Sequence, residues 1–204
     1  MAKIKTKRER VKFASDNVAG ACPEVLDAII RANDGDSTPY GNDQISTELQ
    51  DKFSEIFEKE VIVFPTASGT AANALALSTM TPSFGNIYCH KLSHINTDEC
   101  GAPEFYTGGG KLVTLQGING KITDNELNEA IGGKGIVHHT QPSSVSITQV
   151  CETGEVYQVD EIKKISHIAH KHNLNMHMDG ARFANALVSL DVTPAEMTWK
   201  SGID

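Results

Sequence analysis

Short apolar runs alternate with helix-length segments along most of this chain, and this alternation restricts the fold more than any other feature. Predicted strands cover residues 61–64, 87–89, 112–115, 145–147 and 174–178, and predicted helices cover 23–32, 43–57, 69–78, 160–171 and 182–190. Strands that alternate with helices of this length form a parallel sheet with helices on both faces. The sequence therefore predicts one three-layer α/β/α domain with a mostly parallel sheet over residues 1–204, which begins with an N-terminal arm over about residues 1–20.

The predicted strand over residues 174–178 is followed at once by an acidic residue and then by an arginine. The segment reads His177-Met178-Asp179-Gly180-Ala181-Arg182. Open α/β sheets bind their ligands at the carboxyl ends of the strands, so Asp179 is a candidate site residue. The alternative is that Asp179 only caps the helix that follows.

Charge and hydropathy argue against several classes of partner. The net charge of −8 argues against a nucleic-acid surface, and the basic run over residues 3–10 is short and terminal. No stretch approaches the roughly 18 consecutive apolar residues of a membrane span, and the N-terminus lacks the apolar core of a secretory signal. We therefore expect a cytoplasmic protein without a nucleic-acid or membrane partner.

Neither the cysteines nor the histidines follow a metal-binding pattern. Cys22, Cys89, Cys100 and Cys151 have no C-x-x-C spacing, so we expect reduced thiols that pack in the interior. The histidines at 167, 170 and 172 share one predicted helix, but they do not share one face and have no acidic or cysteine partner in the same turn. The sequence predicts no metal site.

Small residues connect the predicted strand at 61–64 to the helix that follows it, where Ser68, Gly69 and Thr70 lie. The first turn of a helix offers unpaired N–H groups to an anion, glycine allows close approach, and the hydroxyls add donors. A phosphate site is one reading, and ordinary capping of the helix is the other. The loop matches neither G-x-x-x-x-G-K-[ST] nor G-x-G-x-x-G, which disfavours ATP and NAD, and the glycines at 108–110 precede a strand and indicate a tight turn.

The combination of an anion site with an acid at a neighbouring strand end suggests pyridoxal 5'-phosphate. This cofactor needs a grip on its phosphate and a carboxylate facing its ring nitrogen. The carboxylate favours the protonated pyridine and so raises the pKa of the ring nitrogen, which keeps the ring an effective electron sink.

Five segments of the chain together resemble the low-specificity threonine aldolases, within the aromatic amino acid β-eliminating lyase group of fold type I enzymes. The segments are 15–18, 40–43, 65–73, 92–99 (with His94 and Glu99) and 177–186. The resemblance implies a pyridoxal 5'-phosphate-dependent lyase that cleaves a β-hydroxy amino acid to glycine and an aldehyde. It also implies a homodimer or homotetramer.

The resemblance further implies roles for particular residues around the cofactor. Ser68, Gly69 and Thr70 would hold the phosphate, His94 would stack on the pyridine ring, and Asp179 would face the ring nitrogen.

Other residues would contact the substrate. Arg182 and Ser15 would bind the amino acid carboxylate, since a guanidinium grips a carboxylate with two parallel hydrogen bonds. His138 resembles the second active-site histidine that handles the β-hydroxyl, with His139 as the alternative. Tyr40 would belong to a loop that reaches a neighbouring subunit's site.

The chain departs from the family in one respect. The family holds its cofactor through a lysine after the strand that is expected to begin near residues 202–204, and the expected lysine is missing. The small C-terminal domain is missing too, so we expect an incomplete large domain, the amino-terminal part of an aldolase, that has little or no activity alone. The alternatives are a lyase acting on aromatic amino acids and a non-catalytic protein that keeps the fold for binding or assembly.

Overall fold

The computed structural model describes residues 18–204, and the chain divides into two compact units, Met1–Thr47 and Glu48–Asp204. The first unit contains helix α1 (Pro23–Ala32), and helix α2 (Gln44–Ile56) runs across the division. Both helices were predicted from the sequence. Asp43 caps α2 as expected, because its Oδ1 accepts a hydrogen bond from the backbone N of Ser46 at 2.9 Å. Most of the predicted N-terminal arm lies outside the described residues.

From residue 69 onward, the second unit contains the predicted helices and strands in the predicted order, together with short helices that the sequence did not predict. Its helices are α3 (Gly69–Met80), α4 (His94–Thr97), α5 (Ala102–Tyr106), α6 (Asp124–Ala130), α7 (Val159–Lys171), α8 (Phe183–Leu190), α9 (Pro194–Met197) and a 3₁₀ turn at Trp199–Ser201. Its strands are β1 (Gly85–His90), β2 (Lys111–Leu115), β3 (Gln141–Thr148) and β4 (Asn175–Asp179). None of the described helices combines the length and the apolar character needed to cross a membrane.

The four strands form one sheet in the order β2-β1-β3-β4, and every neighbouring pair is parallel. The carboxyl ends of all the strands therefore lie along one edge. In the register of β3 and β4, Thr148 lies beside Asp179, the last residue of β4. The sheet thus delivers Asp179 to the edge where α/β sheets bind ligands.

Helices cover both faces of this sheet, and strand β1 shows how. Tyr88 belongs to a large cluster with residues of α6, α7 and β3, such as Leu127, Ile165 and Ile147. Ile87 and Cys89, its neighbours in the strand, pack instead in a second cluster with Leu77 of α3. Alternate residues of a strand point to opposite faces, so the two clusters form the two sides of a three-layer fold.

The predicted strand at 61–64 is wrong. These residues form no strand, and the side chains of Ile62 and Phe64 are 75% and 79% exposed. The backbone of Val63 bonds instead to a side chain, because Gln50 donates to its O and accepts from its N, both at 3.0 Å. The amide of Gln50 thus makes the backbone hydrogen bonds that a neighbouring strand would make. An apolar run in the sequence does not show whether its backbone bonds to a strand or to a side chain.

The cysteines are all free thiols. Cys89 and Cys151 are buried as predicted, and burial raises their pKa values to about 11 and about 12. Cys22 and Cys100 are exposed, so the prediction of interior packing is wrong for these two.

Candidate active site

Asp179 is a buried carboxylate that is held on both oxygens. Its side chain accepts from the backbone N of Ala181 through Oδ1 and from the Nδ2 of Asn73 through Oδ2, both at 3.0 Å. The residue is 8% exposed. Its backbone O also accepts from the N of Gln149 at 2.9 Å, which ties the end of β4 to the loop after β3. The carboxylate therefore has a fixed orientation at the carboxyl edge of the sheet.

A chain of hydrogen bonds leads from Asp179 to His94. The Nδ2 of Asn73 also donates to Oε1 of Glu99 at 2.8 Å, and the same oxygen lies 2.8 Å from Nδ1 of His94. Glu99 is 3% exposed, and its Oε2 has no hydrogen-bond partner among the described residues. The two carboxylates and the histidine thus form one network at the edge of the sheet.

The network favours the protonated form of His94. The hydrogen bond to Glu99 raises the pKa of His94, and the negative charges of Glu99, Asp179 and Asp98 act in the same direction, while burial opposes them. The side chain keeps 41% of its surface exposed. His94 therefore retains a free surface beside the acids.

The start of α3 provides donors for an anion. Ser68 is the N-cap, and its Oγ accepts from the backbone N of Ala71 at 3.2 Å. The N–H groups of Gly69 and Thr70 have no acceptor within residues 18–204, as the first turn of a helix requires. A Cβ at Gly69 would meet nothing within 4 Å, so the space in front of this turn is open. The predicted phosphate residues therefore share one helix start.

A cavity of about 450 Å³ lies between α3 and β4. One wall carries Gly69 and Asn73, and the other carries Asp179 and the two residues that follow it. Within residues 18–204, no lysine lines this cavity. Of the predicted cofactor residues, Gly69 and Asp179 line this cavity, which extends along β4 as far as Met176.

Arg182 lies just after β4, and one nitrogen of its guanidinium is bonded to the backbone. Its Nη1 donates to the O of Val150 at 2.7 Å. Val150 belongs to the loop after β3, so Arg182 is held at the same edge as Asp179. A guanidinium carries five N–H donors, so the bond to Val150 orients the group and leaves the Nε and Nη2 donors for a carboxylate.

The structure does not bring His138 to this site. His138 precedes β3, whereas Thr148 at the other end of β3 pairs with Asp179. The eight residues of β3 separate the two edges by about 25 Å at 3.3 Å per residue. His138 and its alternative His139 line a cleft with Lys111 instead. This placement contrasts with the role that the resemblance implies.

The structure does not place the other two predicted substrate residues, Ser15 and Tyr40, in this site. Ser15 lies outside the described residues. Tyr40 belongs to the first unit, where it is 96% exposed with a left-handed backbone, φ 64°. Their roles stay predictions.

Sequence reasoning missed two residues of this edge. Asn73 lies in the segment 65–73 but was not recognised as a site residue, because its role depends on a partner 106 positions away. Glu152 follows β3, and its Oε1 accepts from the backbone N of His94 at 3.1 Å. Its position after a strand end was a usable signal, since Asp179 was found by the same rule.

The buried histidine of β4 makes stability depend on pH. His177 is 6% exposed, and its Nδ1 lies 2.9 Å from Oγ of Ser146. Burial lowers its pKa from 6.5 to about 4, against a smaller opposing effect of Asp179. The unfolded chain therefore binds a proton at His177 that the folded chain does not, and stability is lost as the pH falls from about 6.5 to about 4.

We expect His177→Leu to reduce this loss. Chemical denaturation across this pH range should show a shallower dependence of the unfolding free energy in the variant than in the wild type. The exposed His167 of α7 provides the control, since His167→Gln should leave the dependence unchanged. Equal slopes for His177→Leu and the wild type would contradict the prediction.

The fold and this edge together define a class of protein. A parallel sheet covered on both faces, with a helix start for an anion and a buried acid at the adjoining strand end, is the architecture of the large domain of fold type I enzymes. Solved structures agree. A threonine aldolase from Leishmania major matches with a TM-score of 0.82 at 30% identity, over 88% of this chain and 53% of that chain. A methionine aminotransferase from Escherichia coli, at 14% identity and a TM-score of 0.55, shares the fold alone.

Sequence comparison places the chain within this class. A profile of the beta-eliminating lyase family matches residues 12–204, and the chain belongs to this family. A low specificity L-threonine aldolase from Pseudomonas sp. is 46% identical over 193 residues, which cover 95% of this chain and 56% of the relative. That from Pseudomonas aeruginosa is 42% identical over the same shares. The chain thus spans about half the length of these curated relatives, and the resemblance inferred from the sequence is confirmed.

Proposed function

We propose that this chain supplies the cofactor site of a pyridoxal 5'-phosphate-dependent lyase that cleaves L-threonine or L-allo-threonine to glycine and an aldehyde. The observation that carries the proposal is the direct bond between Asn73 of α3 and Asp179 of β4, at 3.0 Å. It joins the helix that offers the anion site to the acid that would face a ring nitrogen. The names of the Pseudomonas relatives support the substrate.

The residues present fit the cofactor by the chemistry of their groups. The free N–H groups of Gly69 and Thr70, with the hydroxyls of Ser68 and Thr70, suit a phosphate. The Asp179 carboxylate suits a protonated pyridine nitrogen, and the exposed surface of His94 suits the face of a ring. The cofactor, when bound, supplies a sink for the electron pair released as the Cα–Cβ bond breaks.

The chain's own residues bind and orient the reacting groups. Asp179 would accept the N–H of the ring and favour the protonated nitrogen, because a fixed anion stabilises the charged form. Arg182, held by its Nη1 bond to the O of Val150, would bind the amino acid carboxylate through its remaining N–H groups with two parallel hydrogen bonds. Ser15, by resemblance, adds a hydroxyl to the same carboxylate.

Cofactor binding is tested on the purified chain. Because no lysine lines the cavity within residues 18–204, we expect the chain to bind pyridoxal 5'-phosphate without a covalent link. Absorbance should change on binding, whereas borohydride reduction followed by mass spectrometry should show no added cofactor mass beyond that found with Asp179→Asn. A full-length threonine aldolase is the positive control. Absence of any binding would contradict the proposed cofactor site. A covalent adduct that is absent in Asp179→Asn would contradict the expectation that no lysine of this chain links to the cofactor.

The substrate is tested in a chimera that joins this chain to the remaining residues of the 46%-identical Pseudomonas enzyme. We expect acetaldehyde from L-threonine or L-allo-threonine in a coupled alcohol dehydrogenase assay. Release of ammonia and pyruvate from tyrosine or tryptophan, without acetaldehyde, would favour the lyase acting on aromatic amino acids. The homodimer or homotetramer and the cytoplasmic location stay predictions.

A further inference from the structure

We propose that Asn73 is a positioning residue whose single amide group couples Asp179 to the pair formed by Glu99 and His94. The inference rests on the proposed function, because it concerns how the acid and the histidine of that site are held. It makes one residue of α3 responsible for the orientation of both groups that would contact the cofactor ring. Nothing in the sequence assigns Asn73 such a role.

The geometry uses the full donor capacity of the amide. Nδ2 of Asn73 carries two hydrogens, and it lies 2.8 Å from Oε1 of Glu99 and 3.0 Å from Oδ2 of Asp179. All three residues are at least nine-tenths buried, with exposures of 6%, 3% and 8%. Each hydrogen therefore has one carboxylate acceptor, and rotation of the amide would break both bonds.

Electrostatics explains why an amide is needed here. Two buried carboxylates on one nitrogen repel each other, and a neutral donor that binds both offsets part of this repulsion. Oε1 of Glu99 also lies 2.8 Å from Nδ1 of His94, so a change at Asn73 acts on His94 through the carboxylate that both residues share. The groups that act on His94 are four acidic side chains: Glu99, Asp98, Asp179 and Glu152, the last of which accepts from the backbone N of His94.

The first experiment follows His94 without any cofactor. The pKa of His94 is measured by NMR titration of its ring in the purified chain. Glu99→Gln keeps an oxygen acceptor but removes the charge, so the pKa of His94 should fall. Asn73→Ala removes the donor shared by the two carboxylates, so their negative charge acts more strongly and the pKa of His94 should rise.

Asn86→Ala is the matched control. Asn86 is also a buried asparagine, 7% exposed, but it lies at the other end of the strands, in β1. It should leave the titration of His94 unchanged. If Asn73 had a purely structural role, the pKa of His94 would not fall in Glu99→Gln and rise in Asn73→Ala. A pKa of His94 in Asn73→Ala equal to that of the wild type would overturn the proposal.

A variant of the same shape serves if Asn73→Ala does not fold. Asn73→Asp preserves the outline of the side chain and replaces the donor with a third acid. The pKa of His94 should rise in this variant also. A pKa equal to that of the wild type would overturn the coupling.

The second experiment links the coupling to the cofactor. Dissociation constants are measured for pyridoxal 5'-phosphate and for its 1-deaza analogue, in which a C–H group replaces the ring nitrogen. Asn73→Ala should weaken binding of the cofactor roughly tenfold, because a hydrogen bond to a charged group is misaligned, and should weaken the analogue much less. An equal loss for both ligands would indicate general damage and would overturn the proposal.

Failure of the proposed function and failure of the coupling give different results in the two experiments. A wild-type chain that does not bind pyridoxal 5'-phosphate would overturn the proposed function. The titration of His94 needs no cofactor, so it still supports or overturns the coupling among Asn73, Glu99 and His94.

Discussion

Asp179→Asn should weaken the binding of pyridoxal 5'-phosphate by roughly 10- to 150-fold, which corresponds to about 1.5–3 kcal/mol for a hydrogen bond to a charged group. The amide has no negative charge to stabilise a protonated ring nitrogen. Its oxygen can still accept from Asn73 or Ala181, so the strand end should keep its structure. The dissociation constant from an absorbance or fluorescence titration checks this result.

Asp160→Asn is the control for the loss of a carboxylate. Asp160 lies in the first turn of α7, where its side chain is exposed, and this change should leave the dissociation constant within twofold. Circular dichroism should confirm that both variants are folded. Wild-type affinity in Asp179→Asn would contradict the assignment of Asp179 to the ring nitrogen.

Ile165→Ala should lower the free energy of unfolding by about 2–5 kcal/mol, the range for removing a large buried aliphatic side chain. Ile165 is 1% exposed in the cluster that joins α7 to the sheet. The loss has two parts, the transfer free energy of the deleted carbons and the cavity that remains. Urea denaturation, analysed as a two-state transition, measures it.

Lys163→Ala on the same helix provides the comparison. Lys163 is exposed, so its replacement should change stability by no more than about 0.5 kcal/mol. We expect both variants to bind pyridoxal 5'-phosphate like the wild type under conditions where they are folded. A loss in Ile165→Ala as small as that in Lys163→Ala would show that this cluster does not determine stability.

Much of the fold could be predicted because periodicity is a local property. The helix from Val159 to Lys171 and the strand from Asn175 to Asp179 follow the spacing of their apolar residues closely. Their order along the chain is enough to predict a parallel sheet, since parallel neighbours need a crossover helix. The place of Asp179 at the carboxyl edge follows from the same rule.

The errors arise where a distant side chain decides the outcome. Residues 61–64 have the composition of a strand, but Gln50 bonds to the backbone of Val63, and the run stays outside the sheet. The network around Asn73 joins positions far apart in sequence, and no spacing rule relates them. His138 lies at the amino end of β3, at the edge opposite Asp179. A resemblance of short segments does not determine at which end of a strand a residue lies.

Helix α3 fixes the distance between its N-cap and Asn73. Ser68 caps it and Asn73 follows five positions later, a rise of about 7.5 Å at 1.5 Å per residue. Because Asn73 also binds Asp179, α3 helps to fix the spacing between the proposed anion site and the acid, and this spacing would favour ligands of one length. Compounds with a longer or shorter spacing between an anionic tail and a basic nitrogen would engage one end and miss the other.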